Sequence, residues 1–306
     1  MTSLDFGGLV LGGNVFGWTA DREASFAVLD AFVDAGGRAI DTADVYSQWV
    51  SGNTGGESES IIGDWFAAHG RSDEVEIHTK VFSKKDRPGL SSANIQAAVD
   101  DSLRRLRTDR IDLYYAHRDD AEVSQAEYVA AFDGLVTSGK VREVGASNFT
   151  AERLDSALDL ARDEGLTPFT VAQDQWNLIE REIESTLLPT LEERGLVELP
   201  YSSLASGFLT GKYRPGLTVA SARAQAAGRY LERDGVGDLL DALDEIAAAH
   251  ATSVTAVALA WLRAQPTVGA PIASARTLEQ VQPLVDSMRL ALDTDEIERL
   301  SSITRP

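Results

Sequence analysis

The sequence predicts an α/β chain closed into an eight-stranded (β/α)8 barrel, the TIM-barrel class, with a short N-terminal hairpin and extra C-terminal helices. Three observations predict it. Short β-branched runs alternate with longer amphipathic stretches about every 30 residues for most of the 306-residue length, and strict alternation implies parallel strands with right-handed crossovers. The length suits one barrel of roughly 250 residues plus insertions. No composition break or Pro/Gly/Ser-rich linker divides the chain, so residues 1–306 read as a single domain. A doubly wound open sheet would need a Gly-x-Gly-x-x-Gly turn after its first strand, and Gly12-Gly13-Asn14-Val15-Phe16-Gly17 does not reproduce that spacing.

The elements follow in order. A strand at 9–12 precedes a helix over 22–35 (REASFAVLDAFVDA), which Gly36-Gly37 closes. Strands at 39–41, 75–80 and 111–117 are followed by helices over 57–68, 92–105 and 124–137. Strands at 141–147 and 169–173 are followed by helices over 151–163 and 183–194, and a seventh strand lies at 196–201. Helices at 237–249 and 253–263 come before a last strand near 268–273, and helices near 278–285 and over 294–303 finish the chain. Two long irregular stretches remain, 47–56 and 207–236. Long loops in a compact domain are usually functional, so these are read as active-site and cofactor loops.

Composition narrows the function classes. With 43% hydrophobic and 25% charged residues the chain is of ordinary globular type, which excludes extended disorder and low-complexity fibres. Cysteine is absent, which excludes disulfides, zinc–thiolate and iron–sulfur sites and a cysteine nucleophile. The first residues lack a basic n-region and a sustained apolar h-region, and no run of about 18 apolar residues occurs, so a cytoplasmic location without membrane association is expected. Lys and Arg number 28 against 48 Asp and Glu, a formal charge of −20 that disfavours nucleic acid as a partner. A small molecule is the expected partner.

In a barrel the active site lies at the C-terminal ends of the strands. The second strand ends at Asp41, with Tyr46 in the loop that follows; the third ends at Lys80 and the fourth at His117. The fifth ends in Ser147-Asn148, the sixth at Gln173 and the seventh in Tyr201-Ser202. Singly each has an ordinary explanation: Asp41 as a turn cap, Lys80 as a solvated strand end, Tyr46 as a loop aromatic, His117 as a satisfied core histidine. Together, at three successive strand ends, they are hard to assign to chance.

The segments IDTADVY, HTK, DLYYAH, GASNF, QDQWNLIER and YSSLASGFLTGKY, taken in order, resemble the aldo-keto reductases over about residues 5–300. The resemblance implies NADPH-dependent reduction of aldehydes or ketones, with NADH as the alternative cofactor. It matches Asp41, Tyr46, Lys80 and His117 to the family's catalytic tetrad, and Ser147, Asn148 and Gln173 to the residues that hold the nicotinamide carboxamide. Tyr201 matches the ring that stacks on the nicotinamide, and Ser202, Leu204 and Ser206 lie in the segment that wraps the pyrophosphate. Arg276, in SARTLEQ with Gln280, matches the position that contacts the adenosine 2′-phosphate. A monomer or weak oligomer is implied. Trp176 stands where the family often has Tyr, and Ser203 where it often has Pro.

The chemistry of these residue types supports such roles. Carbonyl reduction needs a proton donor on oxygen, and a free Tyr, with a pKa of about 10, donates reluctantly near neutrality. A neighbouring ammonium, Lys80, is expected to lower the phenol, with Asp41 orienting the lysine and His117 donating to the substrate oxygen. Lys212, Arg214, Arg223, Arg229 and Arg276 are candidate phosphate ligands despite the acidic net charge, which salt screens beyond about 8 Å. Trp18, Trp49 and Trp176 are candidate pocket walls, and Arg118 with Asp119 and Asp120 makes the mouth partly polar. That mouth suggests hydroxylated, sugar-like or broad aldehydes rather than steroids. Other readings stay open: an aldolase using Lys80 as a Schiff-base nucleophile, a metal enzyme recruiting Asp41, His117 and Asp174, or an NADPH-binding regulatory subunit with negligible turnover. No metal is expected, because the ligand set is thin.

Overall fold

Strands that a barrel covers on both faces should be short and mostly buried, and they are. They comprise β1 (Val10–Gly12), β2 (Ala39–Asp41), β3 (Glu76–Val81), β4 (Ile111–Ala116), β5 (Val141–Ser147), β6 (Val171–Gln173), β7 (Val197–Glu198) and β8 (Ile272–Ala273). The computed structural model describes residues 2–71, 73–220 and 222–304. Residues 1, 72, 305 and 306 of the expected domain, and residue 221 of the expected cofactor loop, lie outside that description.

All the pairings are parallel, in the order β7-β6-β5-β4-β3-β2-β1-β8. The ring closes between β7 and the approach to β8: Glu198 N donates to Thr267 O (2.9 Å), Gly269 N to Glu198 O (2.9 Å) and Ile272 N to Pro200 O (2.8 Å). Alternation along the strands divides the apolar residues. Val10, Ala39, Leu113, Tyr115, Val171 and Leu199 form the interior cluster, whereas Leu9, Leu11, Ile40, Ile77 and Val144 join the layer under the helices. Gly145 makes room for the largest interior ring, since a Cβ there would lie 2.6 Å from Tyr115.

The main outer helices are α1 (Arg22–Asp34), α2 (Glu57–His69), α3 (Ser92–Leu106), α4 (Gln125–Thr137) and α5 (Ala151–Glu164). Short polar side chains start most of them. Asp21, Ser91, Ser124 and Thr150 each accept from the third residue onward, satisfying an amide that the helix leaves unpaired. Where one helix was expected over 183–194 there are two, α6 (Ile183–Thr186) and α7 (Leu188–Arg194). Pro189 brings no N–H to the ladder, so the helix breaks at its approach. The 207–236 stretch carries α8 (Ala224–Gly228) and tight 3-10 turns at its ends. It is followed by α9 (Val236–Ala249) and α10 (Val254–Arg263), both before β8, and then by α11 (Val281–Arg289) and α12 (Thr294–Ile303), the expected C-terminal additions. Among the described residues no single helix is long and apolar enough to cross a membrane; α9 and α10 reach that threshold only together, bent by 97°.

The expected N-terminal hairpin is absent among the described residues. Residues 2–9 form no strand, because their side chains are engaged in covering the bottom of the barrel. Leu4 and Phe6 are buried in the interior cluster, and Ser3 donates from both N and Oγ to Glu143 Oε1 (2.7 Å each). Phe6 meets His78 edge to face at 5.9 Å. His78 is fully buried with neither ring nitrogen hydrogen-bonded, and burial pushes its pKa down to about 3.

Candidate active site

The top of the barrel gathers what the strand ends carry. Asp41 closes β2, Lys80 is the penultimate residue of β3, and His117 follows β4 directly. Tyr46 is returned over them by a turn (Tyr46 N to Ala43 O, 3.1 Å), which the next residue fixes through Ser47 Oγ donating to Phe16 O (2.7 Å). The four meet. Lys80 Nζ lies 2.6 Å from both Asp41 oxygens, 2.8 Å from Thr42 O and 3.1 Å from the Tyr46 hydroxyl. The Tyr46 hydroxyl is 3.4 Å from Asp41 Oδ2, and its ring centroid is 6.1 Å from that of His117, nearly perpendicular to it.

The electrostatics correct one expectation. The Tyr46 phenol is not lowered as expected: burial and then the Asp41 carboxylate hold its pKa well above the usual value. The reason is geometric. The carboxylate grips the ammonium at both oxygens, so the hydroxyl faces a nearly neutral pair rather than a bare cation. Burial likewise pulls the Lys80 ammonium down, opposed by Asp41. The His117 imidazole is held well below its ordinary value by enclosure and then by Lys80 and Arg118, so it is neutral. At neutral pH the site therefore holds a protonated phenol and a neutral imidazole above a buried ion pair. Lys80 is wholly enclosed and its ammonium is ringed by oxygens, which leaves no lone pair for Schiff-base chemistry. Asp41 is fully engaged too, since Gln173 Nε2 donates to its Oδ1 (2.9 Å), and it is not directed toward a metal shared with Asp174.

Above this floor lies a cavity of about 700 Å³. Tyr46, His117, Ser147, Asn148, Gln173 and Tyr201 line one part; Ser202, Leu204, Ser206, Lys212, Arg276 and Gln280 line another. Asn148 is a junction. It sits at φ 56°, its N donates to Asp174 Oδ1 (2.9 Å), and its Nδ2 donates to His117 O (3.1 Å) and Ser147 Oγ (2.8 Å). Its Oδ1 accepts from the Tyr201 hydroxyl (2.7 Å), which fixes the Tyr201 ring. Behind it, Asp174 N donates to Glu198 Oε1 (2.8 Å), and burial pushes the Asp174 carboxyl up to about 7 and Glu198 well above its usual range.

At the other end, Ser202, Ala205 and Ser206 adopt positive φ (54°, 46° and 58°), a strained backbone of the kind kept at ligand sites. Arg276 N donates to Gln280 Oε1 (2.9 Å), and burial and then Arg276 and Arg223 depress the Lys212 ammonium. These residues suit an elongated ligand with anionic groups at one end and a flat ring against Tyr201 at the other.

Some expected residues lie elsewhere. Arg214 turns to Asp244 (2.8 Å) and Arg229 lies over the Tyr230 ring; neither lines the cavity. Trp176 is buried behind it, edge-on to Trp261 and donating to Glu184 (3.0 Å). Trp18 lines the cavity, whereas Trp49 is half exposed and packs edge-on against Trp18 (5.7 Å) and Tyr46 (6.2 Å). Arg118 lines the cavity beside His117. Asn14, after β1, and Ser274, after β8, also line it and bond to each other (2.7 Å). The strand-end rule applied to the first and last strands would have found both.

The model of the Aldo/keto reductase family matches residues 8–305, and the chain belongs to that family. It is 34% identical over 314 residues to "Uncharacterized oxidoreductase YrpG" of Bacillus subtilis (strain 168), covering 99% of this chain and 93% of that one. It is 31% identical over 329 residues to "Protein tas" of Escherichia coli (strain K12), covering 99% and 95%. It is also 30% identical over 302 residues to "Aryl-alcohol dehydrogenase [NADP(+)]" of Phanerodontia chrysosporium, covering 92% and 76%.

Proposed function

We propose that this chain is an NADPH-dependent reductase of aldehydes and ketones, aryl aldehydes among them, with Tyr46 as the proton donor. The observation that carries the reading is the Tyr46 hydroxyl held at the cavity floor, 3.1 Å from Lys80 and 3.4 Å from Asp41, with the His117 ring beside it. The NADP(+) in one relative's name supports the cofactor, and its aryl-alcohol substrate fits the aromatic side of the cavity that Trp18 and Tyr46 line.

Bound NADPH supplies a hydride to the carbonyl carbon. Tyr201 and the Ser147–Asn148 pair would hold its nicotinamide end. Lys212, Arg223 and Arg276 would hold the phosphates, where anionic oxygens would relieve the crowding of like charges. Tyr46 gives its proton to the carbonyl oxygen as charge develops there. Lys80 donates to the resulting phenolate, which makes the transfer favourable although the resting phenol is a weak acid. His117, neutral, can donate one N–H to the same oxygen and so share the negative charge. Asp41 and Gln173 keep Lys80 aligned.

The test is steady-state reduction of an aldehyde panel with NADPH, alongside fluorescence titration of the cofactor. Turnover that is lost in Tyr46→Phe with cofactor binding retained is the expected result. Tight cofactor binding without turnover of any carbonyl would overturn it in favour of a regulatory subunit.

A further inference from the structure

Building on that reductase reading, we infer that Arg118 selects an anionic group on the substrate, so that the preferred substrates are aldehydes carrying a carboxylate. In a chain with 48 acidic residues against 28 basic ones, most described arginines sit against a carboxylate. Arg118 is an exception: among the described residues no ion pair involves it, although Asp119 and Asp120 follow it directly. Both acids are turned away. Asp119 accepts a fork from Arg153 (2.7 and 3.0 Å) and the Tyr128 hydroxyl (3.0 Å). Asp120 accepts from Leu90 N (2.8 Å) and Glu122 N (3.0 Å). The loop thus engages its own acids elsewhere and leaves Arg118, exposed at the cavity lining, without an ion pair among the described residues.

Its place in the cavity separates it from the phosphate end. The charge of Arg118 is felt by His117 and Tyr201, whereas Lys212 and Arg276 act on each other and Arg223 lies over the Trp18 ring (5.3 Å), within reach of both Arg276 and Tyr46. The cavity lining contains two acids, Asp41, which Lys80 neutralises, and Glu279. Arg118 therefore stands beside His117 and Tyr201, where a substituent of the reacting carbonyl would reach it. A guanidinium is suited to a carboxylate, which it can engage with two parallel hydrogen bonds. A chain of net charge −20 repels anions at long range, so such a substrate needs a local cation at the mouth.

The experiment compares kcat/KM for 4-carboxybenzaldehyde with that for its methyl ester, equal in shape at the carbonyl but uncharged. It uses wild type, Arg118→Gln and Arg118→Lys. A charge-assisted contact predicts a wild-type preference for the acid of roughly 10- to 100-fold, collapsing toward parity in Arg118→Gln and partly kept in Arg118→Lys. Equal wild-type turnover of acid and ester overturns the assignment, as does a preference that survives Arg118→Gln. Turnover of neither aldehyde with NADPH or NADH overturns the reductase reading itself, and is thereby distinguished from failure of Arg118 alone.

Discussion

The two ends of the cavity are built on opposite principles. At the floor, charges are paired inside the protein: Lys80 meets Asp41 at 2.6 Å, and Gln173 and Thr42 take up the remaining hydrogen-bonding capacity. The groups stand on strand ends, where the sheet fixes them. At the far end, Lys212 and Arg276 crowd together on loops near a backbone held at positive φ, with Arg223 between them and the Trp18–Tyr46 side. A site that compensates its own charge suits a neutral carbonyl whose charge appears only in the transition state. A site that concentrates like charge suits a ligand that arrives ionised. Preorganisation dominates one end, ligand-completed electrostatics the other.

The sharpest way to break that contrast is at the floor. Tyr46→Phe should lower kcat for reduction by about 10²- to 10⁴-fold, with the cofactor's fluorescence-titration Kd nearly unchanged. Because burial and Asp41 hold the phenol high, wild-type reduction should show no loss of this proton between about pH 6 and pH 9. A step near neutrality would point instead to the carboxyl of Asp174 or Asp44, each pushed to about 7.

Next comes the ion pair beneath it. Lys80→Met leaves Asp41 buried without its cation and should cost about 3–5 kcal/mol in urea unfolding. Lys80→Met combined with Asp41→Asn should recover part of that loss; a double variant less stable than the single would refute self-compensation.

At the far end, Arg276→Ala should raise KM for NADPH by roughly 10- to 100-fold while changing KM for NADH little. Equal effects on both cofactors would remove Arg276 from the 2′-phosphate.

A last test concerns the carboxyl pair behind Asn148. Folded Asp174 keeps its proton to about 7, against 3.8 for an ordinary carboxyl. The folded state therefore binds more protons across that window. The stability this contributes is full below it and lost as pH rises through it. Asp174→Asn has no such proton to lose, so its Tm should fall less than that of wild type between about pH 5 and pH 8. The difference is read at roughly 2–4 °C per kcal/mol. Parallel Tm–pH curves would show that Asp174 titrates normally.

Much of this was legible before any coordinates, because strand ends are. Alternation placed Asp41, Lys80, His117, Ser147 and Gln173 at one end of a barrel, and all five line or underlie the cavity. What the sequence could not convey was direction. Trp49 and Trp176 look alike as candidate walls, yet one is half exposed at the rim and the other is locked behind against Trp261. Arg214 and Arg276 look alike as phosphate ligands, but the first meets an aspartate supplied by α9. The Gln173–Asp41 bond joins residues 132 apart in sequence, so no local pattern announces it. The missing N-terminal hairpin has a similar cause: apolar residues that could pair as strands are more effectively buried by capping the barrel.

That cap makes the underside of the molecule part of its electrostatics. His78 lies two residues before Lys80 on the same strand, and it stays uncharged because Phe6 and the stretch around it keep water out. Loosening those first residues, by trimming or by a bulky fusion set hard against Ser3, would hydrate the imidazole and let it accept a proton in mild acid. A second cation would then stand beneath the lysine that supports Tyr46, so injury at the foot of the barrel would be read out as altered acid–base chemistry at its crown.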